Sequence, residues 1–187
     1  IYTCPMHPQI EQDHPGACPI CGMALERKTA GAGNPEEGNS GLRDMTRRLW
    51  ISGGLALPVF VLAMAHLAPP IAPIASGMAS RWVQFLLSAP AVWWAGWPFF
   101  VRGARSVRNG HWNMFTLISL GVGAAWIYSA VAFVLPDAFP PAMRSHDGRV
   151  DVYFEAAAVI VVLVLLGQVL ELRARARTSS AIKALLN

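Results

Sequence analysis

The chain has 187 residues, 54% of them hydrophobic and 14% charged, with a mean hydropathy of +0.40. That composition excludes an ordinary soluble domain of this length and points to a membrane protein. The net charge of +4 comes from basic residues scattered along apolar segments, without any DNA- or RNA-binding motif. No nucleic-acid partner is therefore expected, and membrane lipid suits these charges better.

The chain begins with Ile and shows no signal peptide before its first polar segment, so it reads as a piece of something longer. Residues 1–28 hold all three cysteines, Cys4, Cys18 and Cys21, with His7 completing a Cys-x-x-His pair ten residues before Cys-x-x-Cys. Two-residue separations let both members of a pair reach one ion from a tight turn, and Pro5, Pro8, Pro19 and Gly22 suit such turns. Fewer than thirty residues bury little core, so a metal staple is the expected source of stability. Cys4, His7, Cys18 and Cys21 form a standard zinc set, whereas Met6 and Met23 beside the pairs favour monovalent copper. Both metals remain open, and His14 is a spare donor or an ordinary loop residue. Three cysteines cannot pair completely, so a reducing compartment suits them.

The pattern Tyr-x-Cys-Pro-Met-His-Pro, then Pro-Gly-x-Cys-Pro-x-Cys-Gly-Met-x-Leu, spans Tyr2 to Leu25 with every motif residue present. It resembles the small heavy-metal-binding domain of bacterial copper- and silver-handling proteins. The resemblance implies metal traffic without naming the machine.

Residues 29–43 are Gly-rich, polar and aperiodic, which predicts a flexible linker. The remaining stretch, 44–187, reads as a membrane domain with spans near 49–67, 82–100, 113–135 and 152–172. Pro58 and the Gly53-Gly54 pair bend the first span, and His66 lies at its far end. Residues 68–80 form a Pro-rich apolar turn, with Met64 and Met78 nearby. In the second span, Gly96 and Pro98 predict a kink. Beyond it Arg102, Arg105 and Arg108 recur every third residue opposite Phe100, Ala104 and Val107. That pattern predicts a short amphipathic helix on the membrane surface, its basic face toward head groups or a soluble partner.

The fourth span carries two carboxylates, Glu155 and Glu171, sixteen residues apart. That spacing is about 24 Å along a helix axis, one acid near each membrane face. Each acid is either a functional group on an ion path or a solvated head-group neighbour. Sixteen steps also leave them roughly 160° apart around a straight helix, so they do not line one stripe. With four spans and the N-terminus inside, twelve of the fifteen Lys and Arg fall on the cytoplasmic side, leaving Arg81, Arg144 and Arg149 outside. The third span then leaves the cytoplasmic face at Met114 and the fourth returns there at Glu171. A thioether and a carboxylate at similar depth suit transient capture of a thiophilic ion.

The blocks GWPFFxRG, NMFTLI, YFEAAAV and GQVLELRARxxTxxAI resemble, in order, the first four spans of bacterial copper-exporting P-type ATPases. The likeness covers nearly all of residues 44–186. It implies that Met114 and Glu171 form the cytosolic copper uptake site and that Glu155 belongs to the exit path. It also implies that the kinked helix with Gly96, Pro98, Arg102, Arg105 and Arg108 is a docking platform for a copper chaperone or the N-terminal domain. Where the family often has Gly-Gly at the kink, this chain has Ala95-Gly96.

The family's membrane Cys-Pro-Cys and its phosphorylated Asp-Lys-Thr-Gly-Thr do not occur in these residues. ATP and Mg would act only in the full-length enzyme, and residues 178–187 read as a helix pattern cut short. The expected fold is thus an all-α membrane protein of four helices, the second kinked, with a small Cys/His metal ribbon in front. The expected function is the N-terminal part of an ATP-driven copper(I) exporter in a bacterial inner membrane, its N-terminus cytoplasmic. The alternative is a non-catalytic membrane-anchored protein that binds or senses copper or zinc; the reading frame beyond Asn187 separates the two.

Overall fold

The computed structural model describes residues 1–186 apart from 5–6, 15, 17, 21–24, 28–34, 66–76, 111 and 146–147. For 26–27, 35–40, 175 and 178–186 it describes the backbone alone. The fold is mostly helical. Three short strands, β1 (Tyr2–Thr3), β2 (Glu11–Gln12) and β3 (Glu26–Arg27), form an antiparallel sheet in the order β2-β1-β3. Tyr2 faces Gln12 on one side and Arg27 on the other. Among the described residues the core of this small sheet is Tyr2, Cys4, Cys18 and Leu25, with Ile10 and Ile20 packed against it. Two of those four are the cysteines.

Among the described residues five α-helices follow: α1 (Pro35–Met64), α2 (Met78–Ala89), α3 (Trp97–Arg108), α4 (Met114–Val134) and α5 (Phe154–Leu186). Among the described residues three helical segments are long and apolar enough to cross a membrane: Gly41–Met64, Met114–Val134 and Phe154–Ala174. α1 begins inside the stretch expected to be a linker. Pro35 pre-sets the first helical φ. The rest of the expected linker, 29–34, lies outside the described residues, as do His66 and the Pro-rich turn over 68–76.

The predicted second span is not one helix. α2 runs into a π-helical turn, Pro90–Trp94, then a break at Ala95 and Gly96 before α3. Pro90 has no N–H to give to the preceding turn, which frees the ladder to slip, and Ala95 N–H bonds Pro90 O at 3.2 Å. Pro98 falls at the second position of α3, where a helix does not need the N–H. Ala95 sits at φ −73°, ψ −35°, a conformation open to any residue, so this break does not require glycine there.

The chain gathers into two compact units, Ile1–Arg47 with Pro98–Ser119 and Leu165–Asn187, and Arg48–Trp97 with Leu120–Val164. In the second unit an aromatic cluster binds the helices: Phe85 stacks on Trp126 at 5.5 Å and meets Phe133 and Phe154 edge-on or tilted at 5.7 Å. Trp126 Nε1 donates to Ser88 Oγ at 3.0 Å, and Tyr153 N–H donates to Ser129 Oγ at 2.7 Å. Apolar positions with small residues, Ala56, Ala91 and Ala158, let helix backbones approach. Arg48 Nη1 donates to Trp94 O at 2.7 Å and lies over its ring, satisfying a carbonyl at the break.

Candidate functional site

In the first unit, β1 delivers Cys4 directly into a turn. His7 N–H bonds Cys4 O at 3.2 Å and Ile10 N–H bonds His7 O at 2.9 Å, so the turn folds His7 back over Cys4. Leu25 N–H bonds Gly16 O at 2.9 Å and closes the second loop beside Cys18. The result is a ligand cluster of Cys4, His7 and Cys18, whose donor atoms all lie within 4.8 Å of one another. His7 Nδ1 is 3.8 Å from Cys4 Sγ and 3.9 Å from Cys18 Sγ. A tetrahedral ion with bonds of about 2.0–2.3 Å has ligand edges of roughly 3.5–3.8 Å, close to the two His7–Cys separations. Both sulfurs are buried, which removes competing water. A trigonal copper(I) site has edges of similar length, so geometry alone admits either metal. Cys21, the fourth predicted ligand, lies outside the described residues, with Met6 and Met23.

The same unit contains α3 and the start of α4. Asn113 caps α4: Thr116 N–H donates to Asn113 Oδ1 at 3.1 Å, which sets Met114 as the first helical residue. The Met114 side chain is 58% exposed. Immediately after it, Phe115 is buried, stacked on Phe99 at 6.0 Å and covered by the Arg102 guanidinium at 5.1 Å. Gly103 permits this approach, because a Cβ there would lie 2.7 Å from Ser119 Oγ and 3.0 Å from Phe115 O. Ser119 Oγ in turn sits 2.9 Å from Phe99 O. The platform helix is thereby pinned to the first turns of α4.

Glu171, half-buried on α5, accepts a hydrogen bond at Oε2 from Gln168 Nε2 at 3.1 Å. Gln168 Oε1 accepts one from Arg102 Nη1 at 2.9 Å. Burial pulls the Arg102 pKa below its ordinary value, and the charge of Glu171 opposes that shift. Between this region and the metal module lies a cleft of about 330 Å³. Gln12, His14 and Cys18 line it from the module, and Arg102, Arg105 and Asn113 from the platform side.

Residues 1–28 match the family described as Heavy metal binding domain. Over 190 residues, all of this chain, it is 55% identical to the silver exporting P-type ATPase of Salmonella typhimurium. It is also 55% identical to a copper-exporting P-type ATPase of Legionella pneumophila and 52% identical to a copper-transporting one of Rhizobium leguminosarum, again across its full length. The chain is homologous to metal-exporting P-type ATPases. It spans 23%, 25% and 22% of the lengths of those three relatives.

Set against this ATPase family, the predicted residues divide. Cys4, His7 and Cys18 come together. Met114 and Glu171 both lie in the first unit, on α4 and α5. Glu155 lies in the second unit, in the first turn of α5, where the helix dipole favours an acid. Gly96 is buried at the break and Pro98 follows it. Arg105 and Arg108 are exposed and Arg102 is half-buried, and Arg102 and Arg105 line the same cleft. A repeat of three falls about 60° short of a full turn at each step, so Arg102 and Arg108 are roughly 120° apart. Ala104 and Val107 are exposed, while Phe99, Gly103 and Ser106 are buried. Sequence reasoning passed over Gln168, Phe115 and Ser119, although the first two sit inside the quoted blocks.

Proposed function

We propose that the chain supplies metal recognition, the docking platform and the ion-uptake residues of an ATP-driven copper(I) exporter. One observation carries this assignment: the cleft that joins a ligand of the metal module, Cys18, to Asn113, the residue before Met114. A soft ion leaving the thiolates would pass toward the start of α4, where Met114 would offer a thioether and Glu171 on α5 an oxygen. A thioether and a carboxylate hold copper(I) more loosely than two thiolates and an imidazole, so the ion is captured and passed on. The α2–π-turn segment makes the fourth crossing, the N-terminus is cytoplasmic, and Glu155 belongs to the outward end of the path. Arg105 and Arg108 face lipid head groups or a copper chaperone. Silver(I) has the same soft-ligand demands and is the competing cargo, in line with the name of the Salmonella relative. In the complete enzyme ATP and Mg drive the cycle.

The test uses the full-length protein. Met114→Leu and Glu171→Gln should each lower copper-stimulated ATP hydrolysis. Parent-like rates and copper dependence in both variants would refute the uptake assignment.

A further inference from the structure

The cleft in the first unit holds about 330 Å³, near the lower end of the roughly 300–1,000 Å³ of small-molecule sites. Such sites are mostly apolar, whereas this one is walled by polar groups. Arg102 and Arg105 bring two guanidiniums, and Gln12, Asn109 and Asn113 bring carboxamides. No carboxylate stands among the described lining residues. A guanidinium only donates hydrogen bonds and each carboxamide has two donors, so the wall is positive and rich in donors. That combination suits an anion, and the planar fork of an arginine matches a carboxylate. On the module side the wall includes Cys18, a member of the metal-ligand cluster. An occupant thus meets positive donors on one side and a metal-binding sulfur on the other.

We propose that this cleft receives a small anionic thiol carrying copper(I), a carboxylate-bearing thiol of di- or tripeptide size. The proposal rests on the reading of the chain as the uptake part of a copper exporter, and adds the form in which the ion arrives. The carrier's carboxylates seat on Arg105 and the neighbouring donors, and its sulfur brings copper(I) to Cys18. Transfer is then ligand exchange. A sulfur electron pair of Cys18 bonds the ion, the bond from the carrier's sulfur breaks, and the Cys18 thiol proton passes to the departing thiolate. Copper stays in its +1 state, so no oxidant or reductant takes part, and the carrier leaves as a free thiol. Phosphate would satisfy the arginines but offers copper(I) only hard oxygen, whereas a thiolate is the soft ligand the ion prefers. A folded protein cannot enter a space of this size, so the cleft serves a route separate from protein docking.

The test measures ATP hydrolysis by the full-length protein in neutral detergent, with copper(I) supplied in two forms. One is its glutathione complex; the other is the complex of glutathione diethyl ester, which keeps the thiol and loses both carboxylates. The half-saturating concentration should be about tenfold lower for the free acid, the effect of one charge-assisted hydrogen bond. Arg105→Gln should bring that ratio below about threefold, and Arg105→Lys should keep most of it. Asn109→Asp is isosteric and exposed, and should lower the ratio by placing a negative charge in the wall. Arg108→Gln removes the same charge from α3 outside the described lining and should keep the ratio near tenfold. S-methylglutathione, which cannot carry the ion, should compete with the free-acid complex and not with the ester complex. Equal half-saturation for the two complexes in the parent would overturn the proposal, as would an equal loss of preference in Arg105→Gln and Arg108→Gln. Binding of radiolabelled S-methylglutathione by equilibrium dialysis separates the two readings. If neither complex stimulates hydrolysis, the copper-exporter reading fails; if parent and Arg105→Gln bind the label equally, the cleft assignment fails.

Discussion

Replacing Gly103 by alanine tests whether the platform is locked to α4. The added Cβ would come within 2.7 Å of Ser119 Oγ, 3.0 Å of Phe115 O and 3.1 Å of Ser119 Cβ. The hydroxyl can rotate away, but the Phe115 carbonyl belongs to the α4 backbone and can yield only if the helix moves. Overpacking of this kind costs about 1–3 kcal/mol, against which Gly→Ala within a helix gains about 1 kcal/mol of intrinsic propensity. The net is a loss of about 1 kcal/mol, or roughly 2–4 °C in Tm for a chain of this length. Gly121 on α4 supplies the contrast, because a Cβ there meets nothing within 4 Å. Gly121→Ala should therefore raise Tm by a similar amount. The assay is thermal unfolding of the chain in detergent, followed by tryptophan fluorescence. Opposite signs support the locked platform. A Gly103→Ala variant that gains stability as Gly121→Ala does would refute the close helix contact.

Two further outcomes follow from the same geometry. Cys18→Ser with Cys21→Ser should abolish stoichiometric zinc or copper(I) binding at the N-terminus, measured by competition with a chromophoric chelator; retained binding would show that the ligand set is wrong. Asn113→Ala should cost about 1 kcal/mol by leaving the first turn of α4 uncapped, while Asn113→Asp should keep most of the stability; equal Tm values for parent and alanine variant would remove the cap from the account.

The metal cluster was legible because its information is local. Cys4 and His7 are three residues apart, and the turn that joins them is closed by its own backbone bonds. The three apolar helices were legible for the same reason, since hydropathy needs no knowledge of neighbours. The break near Gly96 was visible through Pro98, yet the π turn depends on Pro90, whose effect is a change of hydrogen-bond register that apolar composition does not report. The three arginines were legible as a basic stretch, but their spread over roughly 120° leaves Arg102 half-buried while Arg105 and Arg108 are exposed. Gln168 was overlooked because its meaning lies in a partner 66 positions away, and helix periodicity does not name partners across helices.

The Gly103 contact and the Gln168 hydrogen bonds are two consequences of one placement. Gly103 lets α3 approach α4 closely enough for Phe115 to lie between Phe99 and Arg102. With Phe115 there, Arg102 is half-buried and must find an acceptor, because a buried guanidinium without one is costly. Gln168 supplies that acceptor and hands the bond on to Glu171. If Glu171 takes up the ion, a larger residue at 103 should therefore raise the half-saturating copper concentration of the full-length protein as well as lower Tm. A residue that merely packs two helices would change stability and leave the half-saturating copper concentration where it was.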